Sequence, residues 1–98
     1  MIPPTPGRVV WFYPSARTGE SGFCPPGNGE PCAAIVAKVW GERCVNLAVF
    51  DANGVSHSRC SVPLLQDDDA APEHGYYAAW MPYQVGQAAK HAAEAKAA

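Results

Sequence analysis

The chain has 98 residues, 48% of them apolar and 16% charged, with a net charge of −2 at pH 7. That length holds one domain, and ten prolines with nine glycines suit short strands divided by loops rather than a helical bundle. No basic stretch able to displace counterions from many phosphates is present, which disfavours generic nucleic-acid binding, and no apolar run reaches membrane-spanning length.

Residues 1–6 form a Pro-rich lead that cannot be helix. A single barrel unit is expected over 7–84, beginning with a strand at Gly7–Tyr13, GRVVWFY. Pro14–Pro31 follows as a long loop rich in glycine and proline. The most informative stretch comes next. Ala33–Trp40 and Val45–Phe50 are β-branched runs closed by Gly41-Glu42-Arg43 and by Asp51-Ala52-Asn53-Gly54, the pattern of antiparallel strands joined by tight hairpins. In the third strand Val45, Leu47 and Val49 share one face. A fourth strand is expected over Val55–Val62, stopped by Pro63; Leu64–Gly75 then reads as an acidic loop, and Tyr76–Met81 as a fifth strand ended by Pro82. Residues 85–98 are an Ala-rich tail of helix-forming composition, with no large side chain to anchor it.

Five short strands, a long first loop and two tight hairpins match a small SH3-like barrel in which the first and last strands pair. A partly open barrel of OB type is the competing architecture. A unit this small buries a modest core, so self-association is expected.

The N-terminal sequence has neither the basic nor the apolar region of a secretory leader, so the chain reads as intracellular. Cys24, Cys32, Cys44 and Cys60 then read as reduced thiols. A Cys24–Cys32 bridge and a metal site are the less favoured readings, because spacings of 8, 12 and 16 lack a zinc knuckle. No cofactor is implied.

Several residues carry potential chemistry. His57 and Arg59 alternate on one strand face and, beside a carboxylate, would make an acid/base pair; a polar, solvent-facing strand is the plainer reading. Asp67-Asp68-Asp69 lacks the ordered ligand spacing of a calcium loop. Gly27-Asn28-Gly29 is not followed by the Lys and helix of a phosphate loop and reads as a turn. His74 beside Gly75 reads as a loop residue. None of these is a catalytic constellation.

The aromatic set says more. Ten rings are too many for so small a core. Trp40, Phe50 and Trp80 are expected inside, and Trp11 and Tyr13 lie together on one face of the first strand, beside the fifth. Rings with polar handles near arginine suit a nucleobase and its phosphate. On that basis Trp11, Tyr13, Arg17, Asn46, Arg59 and Tyr83 are the candidate ligand-binding residues.

The segments Pro6–Val10, Ala34–Trp40, Val45–Asp51 and Trp80–Gln84 resemble a family of small tailed-bacteriophage proteins with a GRIV start, an AIVxRVW…VNLxVF hairpin and a Trp-Pro ending. The resemblance spans most of Gly7–Gln84. It implies a phage product acting in the host bacterial cytoplasm or in the virion, and it supplies no activity. Three function classes follow. The leading expectation is a non-enzymatic oligomer that sequesters a small nucleotide-type immune signal, an anti-defence sponge. Close behind is a virion or assembly accessory that docks on another protein. Third is a MazF-like ribonuclease, whose opening pattern is echoed by Gly7–Trp11 and Pro31–Val36. There the sequence departs from the pattern, with Glu30 where an arginine is expected before Pro31.

Overall fold

In the computed structural model, which describes residues 1–14, 23–27, 29–67, 69–72 and 75–97 (91–97 as backbone only), strands close into one barrel. The elements are β1 (Val9–Tyr13), β2 (Cys32–Gly41), β3 (Cys44–Phe50), β4 (Ser56–Leu65), β5 (Tyr77–Ala79) and α1 (Pro82–Ala97). Consecutive strands from β1 to β4 pair antiparallel. β5 closes the ring, antiparallel to β1 and parallel to the end of β4. This is the small all-β barrel with a helical tail that the strand spacing implied.

Alternation decides what is inside. Val10 and Phe12 of β1, Ala34 and Val36 of β2, Val45, Leu47 and Val49 of β3, and Ala78 of β5 point inward and are buried. Three further core members come from outside the expected barrel unit or its strands: Ile2 from the lead, Cys32 from just before the expected second strand, and Leu64 from the presumed acidic loop.

Where element bounds differ from expectation, bulges and caps explain it. β4 does not stop at Pro63; it continues to Leu65. On β4 the three-residue step from Arg59 to Val62 matches the two-residue step from Leu47 to Val45 on β3, which is a β-bulge. Ser61 adopts a φ of +53° there, and its amide donates to Asn46 Oδ1 at 2.8 Å. The bulge turns Val62 and Leu64 inward and leaves Pro63 outward at the strand end, where its missing N–H costs little. Trp40, expected in the core, is 59% exposed. Ala37 is the extra residue between the Val36↔Leu47 and Lys38↔Asn46 pairs, and that bulge shifts the strand's phase so that Val39 turns toward the core and Trp40 outward. Phe50 is half-buried on the outer face, and only Trp80 of the three expected core rings is buried.

The fifth strand is three residues long because the chain turns into helix at Pro82, earlier than composition alone suggested. Proline suits the first helical position. Gln84 Oε1 accepts from the Met81 amide at 2.8 Å, the reach-back half of a capping box. Its Nε2 donates to the Val9 carbonyl at 2.7 Å and ties the helix start to β1. Gln84→Ala should therefore cost about 1 kcal/mol and speed amide exchange over residues 83–90 while leaving the barrel strands protected. The molecule measures 52 × 24 × 22 Å, the long axis reflecting a helix that projects from the barrel.

Candidate functional site

The outward-facing residues of β5, β1, β2 and β3 form an apolar plate. Three ladder rows define it. Val9 lies opposite Ile35, which lies opposite Ala48. Ala79 lies opposite Trp11, then Ala33, then Phe50. Tyr77 lies opposite Tyr13, their rings stacked at 4.8 Å and 15°. The rows end on β4 at Ser58 and Ser56. No charged residue occupies any of these positions. Burial and the neighbouring Tyr77 hold the Tyr13 phenol above its ordinary pKa of 10.0. The solvated face of an antiparallel sheet is ordinarily polar, yet here Val9 is 41% and Ile35 37% exposed.

A second cluster sits at one mouth of the barrel. His57 and Arg59 lie opposite Val49 and Leu47, and opposed residues share a face. They therefore point inward, half-buried, and not into solvent as the plainer sequence reading had it. The carboxylate is Asp51, at the end of β3. Its Oδ1 accepts from the Asn53 and Val55 amides, and its Oδ2 from the Cys24 amide and His57 Nε2 at 2.9 Å. The bond to His57 is the largest cause that lowers the Asp51 pKa from 3.8 to about 2, with the three backbone amides adding to it. Phe23 covers the cluster, 4.9 Å from the His57 ring and 5.5 Å from the Arg59 guanidinium. Burial and the Asp51 charge raise the Cys32 thiol pKa. All four cysteines are free. Every acceptor site of Asp51 is occupied, so the arrangement pins the 51–55 turn and the Cys24 segment to β4. It is a structural hub.

The six residues proposed from sequence do not form one pocket. Trp11 and Tyr13 lie on the apolar plate. Asn46 is on the outer side of β3, its Oδ1 taken by Trp40 Nε1 at 2.9 Å and by the Ser61 amide. Arg59 is at the barrel mouth, donating to the Ser58 carbonyl at 2.7 Å. Tyr83 is on α1, 74% exposed. Arg17 lies outside the described residues, as do Asn28, Asp68 and His74. Asp67 pairs with the N-terminal ammonium at 2.9 Å and Asp69 with Arg43 at 2.8 Å, so these two carboxylates serve as ties.

Sequence reasoning missed Gln66. It is 2% exposed and fully bonded: Oε1 accepts from the Ile2 amide and Trp80 Nε1, and Nε2 donates to the Ile2 and Glu42 carbonyls. Gln66 thus staples the lead, the β2–β3 hairpin and Trp80 together. A cavity of about 290 Å³ beside it is bordered by Met1, Ile2, Trp80, Val85 and Ala88. The only available signal was a glutamine directly after an apolar strand end.

The chain is a small closed β-barrel with a projecting C-terminal helix. Comparison with protein-family models, curated proteins and solved structures gives no match. Among the described residues, no helix is long and apolar enough to cross a membrane, and no group of three His, Cys, Asp or Glu side chains converges as metal ligands.

Proposed function

We propose that this protein is a non-enzymatic interaction module whose working surface is the apolar plate on β5, β1, β2 and β3. One observation carries the reading: four adjacent strands present aromatic and branched side chains outward with no charge among them. Contiguous exposed apolar surface of this kind marks association sites. The described polar clusters point the same way, since Asp51 and Gln66 have their hydrogen-bonding capacity spent inside the fold. Together with the resemblance to tailed-phage proteins, this favours a virion or assembly accessory that docks on protein.

A second reading, sequestration of a small nucleotide-type signal in the host cytoplasm, draws support from the partly exposed rings of Trp11, Tyr13 and Tyr77. A base would stack on those rings. Native mass spectrometry of protein purified from bacteria producing nucleotide immune signals, before and after heat release, separates the two. A clean apo species supports the docking module. A releasable nucleotide-sized mass, lost in Tyr13→Ala, overturns it in favour of sequestration.

A further inference from the structure

We infer that the apolar plate is the contact between two copies of this chain, packed sheet on sheet about a twofold axis. The inference rests on the reading of the plate as an interaction surface and names its partner.

Shape is the first argument. Small-molecule sites are concave, whereas this surface is the convex outside of a barrel. Two cavities among the described residues lie elsewhere, around Met1, Ile2 and the start of α1. An apolar surface with no hollow to enclose a small ligand is matched instead by another sheet face.

Barrel closure is the second. β1, β2 and β3 are each paired on both sides, so no edge along them is open for a partner strand. The β4 carbonyls of Ser58 and Cys60 are met by Arg59 and the Tyr76 hydroxyl. β4 meets β5 only at Leu64 and Leu65, so an open edge is confined to the earlier part of β4, and the plate itself can associate only face to face.

Charge is the third. In an isologous contact the same patch meets itself, so side chains near the axis face their own copies. A charge there would repel its twin. The plate carries none. A surface selected for a different protein would gain specificity from complementary charge, which these rows do not offer.

Area is the fourth. Four strands about 4.8 Å apart, with outward residues about 6.6 Å apart, make a plate roughly 15–20 Å on a side. Two such plates with their serine rim reach on the order of 1,000 Å², where specific interfaces begin. Trp11, Tyr13, Tyr77 and Ile35 form the centre, the residue types that anchor interfaces.

Sedimentation velocity from 1 to 200 µM tests this with the wild-type chain, Trp11→Glu, Ile35→Lys and, off the plate, Tyr83→Glu. The expected result is a wild-type dimer, a dissociation constant at least about 100-fold weaker in both plate variants, and Tyr83→Glu unchanged. A wild-type monomer throughout the range overturns the inference. So does a dimer that survives both plate substitutions. Should a plate variant unfold by circular dichroism, a photo-crosslinking amino acid at position 35 replaces it: a chain–chain adduct supports the dimer, and no adduct overturns it. A monomer whose plate is nonetheless protected inside cells would sink the dimer and leave the docking module standing.

Discussion

Gln66→Leu is expected to destabilise the barrel by about 2–4 kcal/mol, lowering the thermal midpoint by roughly 10–25 °C for a domain of this size. Leucine keeps the approximate volume and removes every hydrogen bond. The Ile2 amide and carbonyl, the Glu42 carbonyl and the Trp80 indole N–H would all lose their partner in a site where Gln66 is 2% exposed. Leaving buried polar groups unmatched costs more than the same bonds contribute when made. The damage should also spread. Ile2 would detach, the cavity against Val85 and Ala88 would open, and the Arg8–Trp80 contact at 5.6 Å would loosen. Thermal unfolding followed by circular dichroism measures this, and a midpoint within about 3 °C of wild type would refute the stapling role.

Asp51→Ala is the second large effect. It removes the acceptor for three backbone amides and His57 at once, so the 51–55 turn and the Cys24 segment lose their anchor. A midpoint lowered by roughly 10 °C or more is expected, with Phe23 released from the barrel mouth. The same carboxylate gives stability a pH dependence of definite sign. Its folded pKa of about 2 lies below the ordinary 3.8, so the unfolded chain binds the proton more readily. The Asp51 contribution is complete above about pH 4 and is lost as pH falls toward 2. Asp69, lowered by its bond to Arg43, acts in the same sense. Asp51→Asn should therefore flatten part of the acid limb between pH 4 and 2 and leave the Asp69 part. An unchanged acid limb in Asp51→Asn would contradict the assignment.

These two residues show where the sequence was legible. Alternation located β1 to β3 closely, because Val45, Leu47 and Val49 can share a face in only one way along a strand. Hairpin signals at Gly41–Arg43 and Asn53-Gly54 set the order, and the order implied the pairing of first and last strands. Bulges broke the simple pattern. At Ser61 an extra residue shifts the inward set from His57 and Arg59 to Val62 and Leu64, which a period of two cannot anticipate. A second irregularity placed Trp40 outside. The long-range ties were invisible for a different reason. Gln66 meets Ile2 across 64 positions, and nothing local in either segment marks the other.

The candidate site was legible in half. Residue alternation put Trp11 and Tyr13 together, and the pairing of β1 with β5 added Tyr77. Asn46, Arg59 and Tyr83 were chosen by chemical type, and the fold assigns the first two to jobs of their own: holding a bulge and covering a barrel mouth. What composition did not reveal was that four neighbouring strands turn uncharged side chains outward along three adjacent ladder rows. That property belongs to the register between strands and exists only once the barrel closes.

Carbene footprinting of the exposed side chains, in protein inside bacterial cells and in purified protein diluted until it is monomeric, tests most directly whether the plate is the working surface. Labelling of Val9, Trp11 and Ile35 should fall several-fold in cells, while that of Trp40, Val55 and Tyr83 stays the same. Equal labelling of the plate in both settings, or protection confined to residues outside it, would contradict the account.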